Sequence, residues 1–304
     1  MSPYILHHFD ASPFAEKIRL VFGLKQLAWQ SVEIPMIMPK PDLTALTGGY
    51  RKTPVLQIGA DIYCDTLLIA EELEAREPAP SIFPSGQRGL ALALSRWSDK
   101  AFFEPGAALS MGENPQVPDA VINDRKAFFN FMDFGKLEES LPAARWQFQA
   151  QARLVEDQLG SGSDYLDGDT PGFTDVLAWF VVWMAGANIP SADKLLAPFT
   201  RLNAWSARMA TVGHGQRSDI PAADALEVAR NAVPDDAGEV AGDNWLGLRR
   251  GQAVAVCAND YGQDQVTGEL LHLDLQRVVI RRQDERVGAL NVHFPAIGYQ
   301  VLTT

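Results

Sequence analysis

Cysteine is scarce in this chain. Cys64 and Cys257 are the only two among 304 residues, they lie far apart in strand-like surroundings, and no Cys-x-x-Cys pair exists. This argues against a disulfide framework and a thiolate zinc site, and makes a reducing cytosol the expected compartment. Histidine is also sparse: the five include an adjacent pair, His7 and His8, at no spacing that suggests metal ligation, so no metal is expected. Long apolar runs are missing. The most apolar stretch, "VLAWFVVWMAGA" from Val176 to Ala187, is shorter than the roughly 20 residues that cross a bilayer. It reads as a buried helix, and no membrane association is expected. The start, "MSPYILHHFD", lacks the basic opening and apolar core of a signal peptide. Basic residues are outnumbered, 26 against 38 acidic, for a net charge of −12. A nucleic-acid partner is not expected, because phosphate backbones call for clustered Lys and Arg. A local basic pocket for a small anion remains compatible with this charge.

What is present falls into three textures. Residues 1–80 alternate strand and helix patterns. "YILHHF" reads as a strand, "PFAEKIRLVF" as a helix, "AWQSVEI" as a strand, and "KPDLTAL" as a short helix ended by Gly48 and Gly49. "TPVLQIGADIYCDT" holds two β-rich runs about Gly59 and Ala60, a hairpin signal, and "DTLLIAEELEAREP" a helix stopped before Pro78. The order β-α-β-α-β-β-α predicts one mixed sheet with helices on both faces. Residues 87–232 carry longer helical patterns: "GLALALSRWSDKAFF", "AARWQFQAQARLVEDQL", "FTDVLAWFVVWMAGA", "LLAPFTRLNAWSARMATV" and "AADALEVARNAV". The third is apolar nearly all round and is expected to run through the middle of a bundle. "MGENPQVPDAV" and the stretch from Met132 to Phe134 read as loops or interrupted helices. After "VPDDAGEVAGDN", which reads as a linker, residues 240–304 hold short β-rich runs between turn residues. Their spacing predicts a small all-β, barrel-like unit, and a fragment ending near 232 is expected to fold without it.

The junction "FDASPFAEKIRLVF" raises the first chemical question. Phe14, Ile18, Val21 and Phe22 share one helical face. Ser12 suits the N-cap because its oxygen accepts a bond from an unpaired backbone N–H, and Pro13 suits the first helical position. The junction is therefore a helix start, and it is also a place where an anion can bind.

"SPF" after the first strand, "RKTPVL" before the third, "CDT" before the third helix and "PGFTD" before an apolar helix occur in that order. Together they resemble the glutathione S-transferase superfamily over roughly residues 3–215. The resemblance implies a thioredoxin-like N-terminal domain and an all-helical second domain; the tail lies outside it. "SPF" is similar to the catalytic tripeptide of the tau class, where Ser activates glutathione; the omega class has Cys there, and the absence of Cys at position 12 argues against reductive thiol removal. One element departs from the family: Gly172 stands where the cap of "PGFTD" usually has Ser or Thr.

The resemblance implies site residues one by one. Ser12 would be catalytic, donating to the glutathione sulfur at a helix start. A hydrogen bond to S⁻ and the helix dipole both favour the thiolate. Pro54 resembles the family's cis-proline, with Thr53 exchanging backbone bonds with the cysteinyl unit. Asp65 and Thr66 would hold the γ-glutamyl unit, whose carboxylate suits a helix N-terminus. Lys40 and Lys52 are candidates for the glycyl carboxylate, with Arg51 a weaker option, and either lysine reads equally as a surface charge. The acceptor pocket is expected between the two domains. Trp97, Phe102, Phe103 and Trp146 are its candidate walls or core residues, and His7 or His8 is either a proton carrier or a satisfied core histidine. The expected activity is conjugation of glutathione, as co-substrate, to a small and largely apolar electrophile, by a cytoplasmic, detoxifying homodimer. The alternative is a non-catalytic binding protein that uses the β tail as its interaction module.

Overall fold

The computed structural model describes residues 2–304. In chain order it contains β1 (Tyr4–His8), α1 (Pro13–Leu24), β2 (Ala28–Glu33), α2 (Pro41–Thr47), β3 (Val55–Ile58), β4 (Asp61–Cys64) and α3 (Thr66–Arg76). The helices α4 (Arg88–Arg96), α5 (Phe103–Glu113), α6 (Asp119–Phe128), α7 (Leu137–Gln158), α8 (Phe173–Asn188), α9 (Ala192–Leu196) and α10 (Thr200–Met209) follow. Then come β5 (Gln216–Asp219), α11 (Ala222–Asn231), β6 (Ala253–Ala258), β7 (Val266–Leu273), β8 (Arg277–Asp284), β9 (Gly288–Pro295) and β10 (Tyr299–Thr303).

The chain forms two compact units. One holds the chain up to Ala15, Ala28–Glu72 and Gln216–Thr304; the other holds Glu16–Leu27 and Leu73–Gly215. This division differs from the expected boundaries of 1–80, 87–232 and 240–304. α11 and the β tail belong with the thioredoxin-like strands.

In the first unit, ten strands of the described residues join one sheet in the order β10-β6-β7-β8-β9-β4-β3-β1-β2-β5. β1 runs parallel to β2 and antiparallel to β3, as the β-α-β and hairpin signals require. All residues of β1, β3 and β4 are buried, which explains their nearly continuous apolar character. The tail does not stand apart because β9 pairs in parallel with β4, setting Asp61, Ile62 and Tyr63 beside Asn291, Val292 and His293. β10, at the far edge of the hydrogen-bonding order, nevertheless places Tyr299 against Asp65, which follows β4. The tail strands thus curl as a barrel does, while remaining continuous with the sheet. One apolar core runs from Ile5, Val55 and Ile62 to Val256, Ile280 and Phe294.

"VPDDAGEVAGDN" is pinned rather than free, which corrects its reading as a linker. The Asp235 N–H donates to Asp61 Oδ2 at 2.8 Å, and Asn291 Nδ2 donates to the Asp235 carbonyl at 2.9 Å. Asp61 Oδ1 accepts from His293 Nε2 at 2.8 Å and Asn291 Nδ2 at 3.1 Å. Burial alone would raise the Asp61 pKa, but these donors outweigh it and hold the carboxyl below its ordinary value. Ala237 packs with Leu271 and Val279. β5, to which the sequence assigns no element, is an exposed edge strand parallel to β2. Its "QRSD" carries no apolar alternation, so nothing local announced it.

The second unit is helical, and α8 is buried along most of its length as expected. The candidate helix over 89–103 is two α-helices joined by a π-helical turn from Trp97 to Phe102. α6 buries no side chain, so its sequence lacked the apolar stripe that marks a helix. Asp175 reaches back to the Gly172 N–H at 3.0 Å and also accepts from Leu166 N at 2.9 Å and Trp205 Nε1 at 2.7 Å. Gly172 has no side chain to return a cap bond. A Cβ there would lie 2.8 Å from Pro84 Cδ and 3.0 Å from the Ile82 carbonyl oxygen. Close approach of the chain at Ile82–Pro84 explains why glycine replaces the usual cap residue.

Candidate functional site

The sheet register assembles the site. His7 of β1 lies opposite Val55 of β3, and Val55 lies opposite Cys64 of β4. Ser12 follows β1, Thr53 and Pro54 precede β3, and Asp65 and Thr66 follow β4. Three segments far apart in sequence therefore emerge at one end of the same three strands.

Ser12 is buried and caps α1. Its Oγ accepts from Ala15 N at 3.2 Å, and its own N–H donates to the Phe9 carbonyl at 3.0 Å. The cap uses the oxygen as acceptor, so it does not consume the hydroxyl proton. The Thr53–Pro54 bond is cis. Lys40 and Thr53 are brought together: Lys40 Nζ donates to Thr53 Oγ1 at 3.0 Å and to the Arg51 carbonyl at 3.4 Å, and lies 5.7 Å from the Phe9 ring centre. Lys40 is buried, which corrects its reading as a surface charge.

Asp65 caps α3 from an unusual conformation, with φ of 79°, a left-handed geometry uncommon outside glycine. Its Oδ1 accepts from Leu67 N at 2.9 Å, and its Oδ2 accepts from the Tyr299 hydroxyl at 3.2 Å. Thr66, the first residue of α3, is buried. Lys52 is separated from Lys40 in role. Its Nζ pairs with Asp260 at 2.6 Å and sits 4.3 Å from the Tyr261 ring centre, so it too is no free surface charge.

The neighbouring histidines are core residues. His7 Nε2 bonds Gln57 Oε1 at 2.8 Å, and burial lowers its pKa to about 4. His8 Nε2 bonds Ser31 Oγ at 3.1 Å. Cys64 is a buried free thiol whose pKa burial pushes well up, with the Asp65 charge adding to the effect. It is poorly suited to thiolate chemistry. In the helical unit Phe102 and Phe103 are buried. Trp97 stacks on Phe102 and donates to Gln151 at 2.8 Å, whereas Trp146 is 69% exposed.

Four residues at this end were not anticipated: Tyr50, Asp260, Tyr261 and Tyr299. Tyr299 and Asp65 are 234 positions apart, and Lys52 and Asp260 are 208 apart. No local pattern could have paired them.

The family model for the glutathione S-transferase N-terminal domain matches residues 6–81. The crystal structure of a GST-like protein from Pseudomonas syringae is 36% identical, with a TM-score of 0.81 over 100% of both chains. This chain belongs to the glutathione S-transferase superfamily. The likeness to that bacterial structure takes in the C-terminal strands, so the β extension is not peculiar to this sequence. Glutathione S-transferase U4 of Arabidopsis thaliana is 24% identical over 170 residues, covering 56% of this chain and 66% of that protein, just under two thirds of its length. FtsZ-localized protein A of Caulobacter vibrioides is 23% identical over 194 residues, covering 58% of this chain and 84% of that protein. Among the described residues no metal-binding cluster of His, Cys, Asp and Glu occurs, and no helix is long and apolar enough to cross a membrane.

Proposed function

We propose that the protein is a glutathione transferase that conjugates the glutathione thiolate to a small, largely apolar electrophile. One observation carries this reading: the His7–Val55–Cys64 register gathers Ser12, Thr53–Pro54 and Asp65–Thr66 at one end of the sheet. Glutathione needs all three. Its thiol has an ordinary pKa near 8.5, so an enzyme working at neutral pH must favour the thiolate. The Ser12 hydroxyl donates to the sulfur while its oxygen still caps α1, and the helix N-terminus adds a favourable dipole. The Thr53 backbone holds the cysteinyl unit. The N–H groups at the start of α3 take the γ-glutamyl carboxylate, and the Asp65 carboxylate takes the ammonium. Lys40, beside Thr53, is the cation for the glycyl carboxylate; Lys52 enters that role only if it leaves Asp260. The thiolate then attacks the electrophile. We place this reaction in a reducing cytosol, carried out by a detoxifying homodimer.

A second reading is favoured by the tail's hold on Lys52 and Asp65 and by a relative named for localization with FtsZ. In it the protein is a non-catalytic binder whose β extension is the interaction module. Turnover of a chromogenic electrophile panel with glutathione separates the two. Measurable conjugation supports the transferase. Retained glutathione binding with no turnover across the panel supports the binder.

A further inference from the structure

The hydroxyl chain from Tyr50 to Asp65 brings the last strand into the site. The Tyr50 and Tyr299 oxygens lie 2.7 Å apart, and the Tyr299 hydroxyl donates to Asp65 Oδ2 at 3.2 Å. A phenol has one proton. Because Tyr299 gives its proton to the carboxylate, Tyr50 must donate to Tyr299, and the chain has one direction. Burial, reinforced by the neighbouring Asp65 charge, raises the Tyr50 pKa well above its ordinary value. The same burial, with Tyr50 and Asp65 adding to it, raises that of Tyr299, so both remain donors. The rings are fixed as well. Phe294 of β9 packs 6.0 Å from the Tyr50 ring and 5.6 Å from the Tyr299 ring. The Tyr299 backbone is in register with Ala258 of β6. The same ladder end leads directly to Asp260, which holds Lys52. Asp65 itself is in a left-handed conformation, and its two oxygens are held by donors from different regions, Leu67 N and Tyr299.

We propose that Tyr299 is a specificity-determining positioning residue: it fixes the Asp65 carboxylate so that the C-terminal β extension takes part in reading the ammonium end of the bound γ-glutamyl thiol. This rests on the glutathione reading given above. The chemistry is a charge-assisted bond that holds one carboxylate oxygen while leaving lone pairs for a second donor. A carboxylate released from it samples other rotamers, and the ammonium loses a partner of set direction.

The test uses the full chain and two probes, glutathione and its des-amino analogue, in which a hydrogen replaces the γ-glutamyl ammonium. Titration calorimetry gives the preference of the wild type for glutathione. Tyr299→Phe keeps the ring and removes the hydroxyl. It is expected to lower that preference by roughly 3- to 10-fold, all of it from weaker glutathione binding, with the des-amino affinity unchanged. General damage to the site would weaken both probes alike and would overturn the proposal, as would an unchanged preference. If Tyr299→Phe does not fold, Tyr50→Phe leaves β10 intact and removes the proton given to Tyr299; it must lower the preference in the same direction, and no change overturns the proposal. A wild type that binds glutathione but does not discriminate against the des-amino analogue overturns this inference alone. A wild type that binds neither probe overturns the glutathione reading and this inference with it.

Discussion

Strands β1–β4 and strands β6–β10 share one sheet, but they were built by different rules. The first set mixes parallel and antiparallel pairs, with α1 crossing between β1 and β2. The second runs β6-β7-β8-β9 as antiparallel neighbours in chain order. The first set delivers the chemistry-bearing segments, since strand ends in such sheets open onto connecting loops and helix starts. The second delivers no candidate catalytic group, but it decides the partners of those already there: Asp260 for Lys52, Tyr299 for Asp65, and His293 and Asn291 for Asp61. The appended β segment thus sets the partners of side chains that the first set presents.

Removing the second set should have the largest effect. A chain ending at Ala232 leaves the β4 edge without β9, strips Asp61 of its donors from Asp235, Asn291 and His293, and cuts the shared apolar core. The fragment is expected to be insoluble or to unfold without a cooperative urea transition. A soluble fragment with one sharp transition would make the tail a separate domain after all.

Next in size is a pH effect centred on His7 of the first set. His7 titrates at about 4 when folded, against 6.5 in its ordinary state. Between these values the unfolded chain binds a proton that the folded chain refuses, so stability falls as pH drops from 6.5 toward 4. The full difference amounts to about 3 kcal/mol. Urea unfolding at a series of pH values should show this slope, and His7→Gln should flatten it. An unchanged slope in the variant would assign the acid sensitivity to other groups, with the buried His293 in the tail as the first to test.

Ser12→Ala comes third. The pKa of bound glutathione should rise by about one unit, worth about 1.4 kcal/mol, read from thiolate absorbance against pH. Ser12→Cys should lose conjugation and form a mixed disulfide with glutathione under oxidising conditions. If Ser12→Ala leaves both the bound-thiol pKa and turnover as they were, Ser12 is a helix cap alone.

The smallest effect sharpens the comparison from the tail side. Asp260→Asn releases Lys52 from a partly exposed ion pair, so stability should change by no more than about 1 kcal/mol. Glutathione should then bind more tightly relative to its C-terminal amide, because a second cation can reach the glycyl carboxylate. Equal affinities before and after would show that Lys52 plays no part in binding even when free.

Much of this was legible in the residues. Ser12 and Pro13 mark the start of α1, the hairpin at Gly59 and Ala60 links β3 and β4, and the apolar run of α8 is buried. These are local signals, carried by capping bonds and apolar periodicity within a few residues. The cis bond before Pro54 followed from the family resemblance rather than from any local pattern, whereas the grouping of Lys40 with Thr53 emerged only in the structure. β5, α6 and the π-helical turn at Trp97 were hidden because they lack the apolar alternation that periodicity detects. The glycine at 172 looked like a defective cap, whereas the nearby Ile82 carbonyl and Pro84 ring leave no room for a Cβ.

By itself, the sequence determined most of the segments that form strands and helices, where α1 and α3 begin, and that a hydroxyl stands at the start of α1. The tertiary structure alone decided that the tail continues the sheet, that Lys52 is spent on Asp260, and that Tyr299 holds Asp65. The reason lies in the range of the interactions. A cap or an apolar stripe is satisfied by neighbours along the chain, whereas the register of β9 on β4 and the curl that returns β10 to Asp65 depend on pairings between residues more than two hundred positions apart.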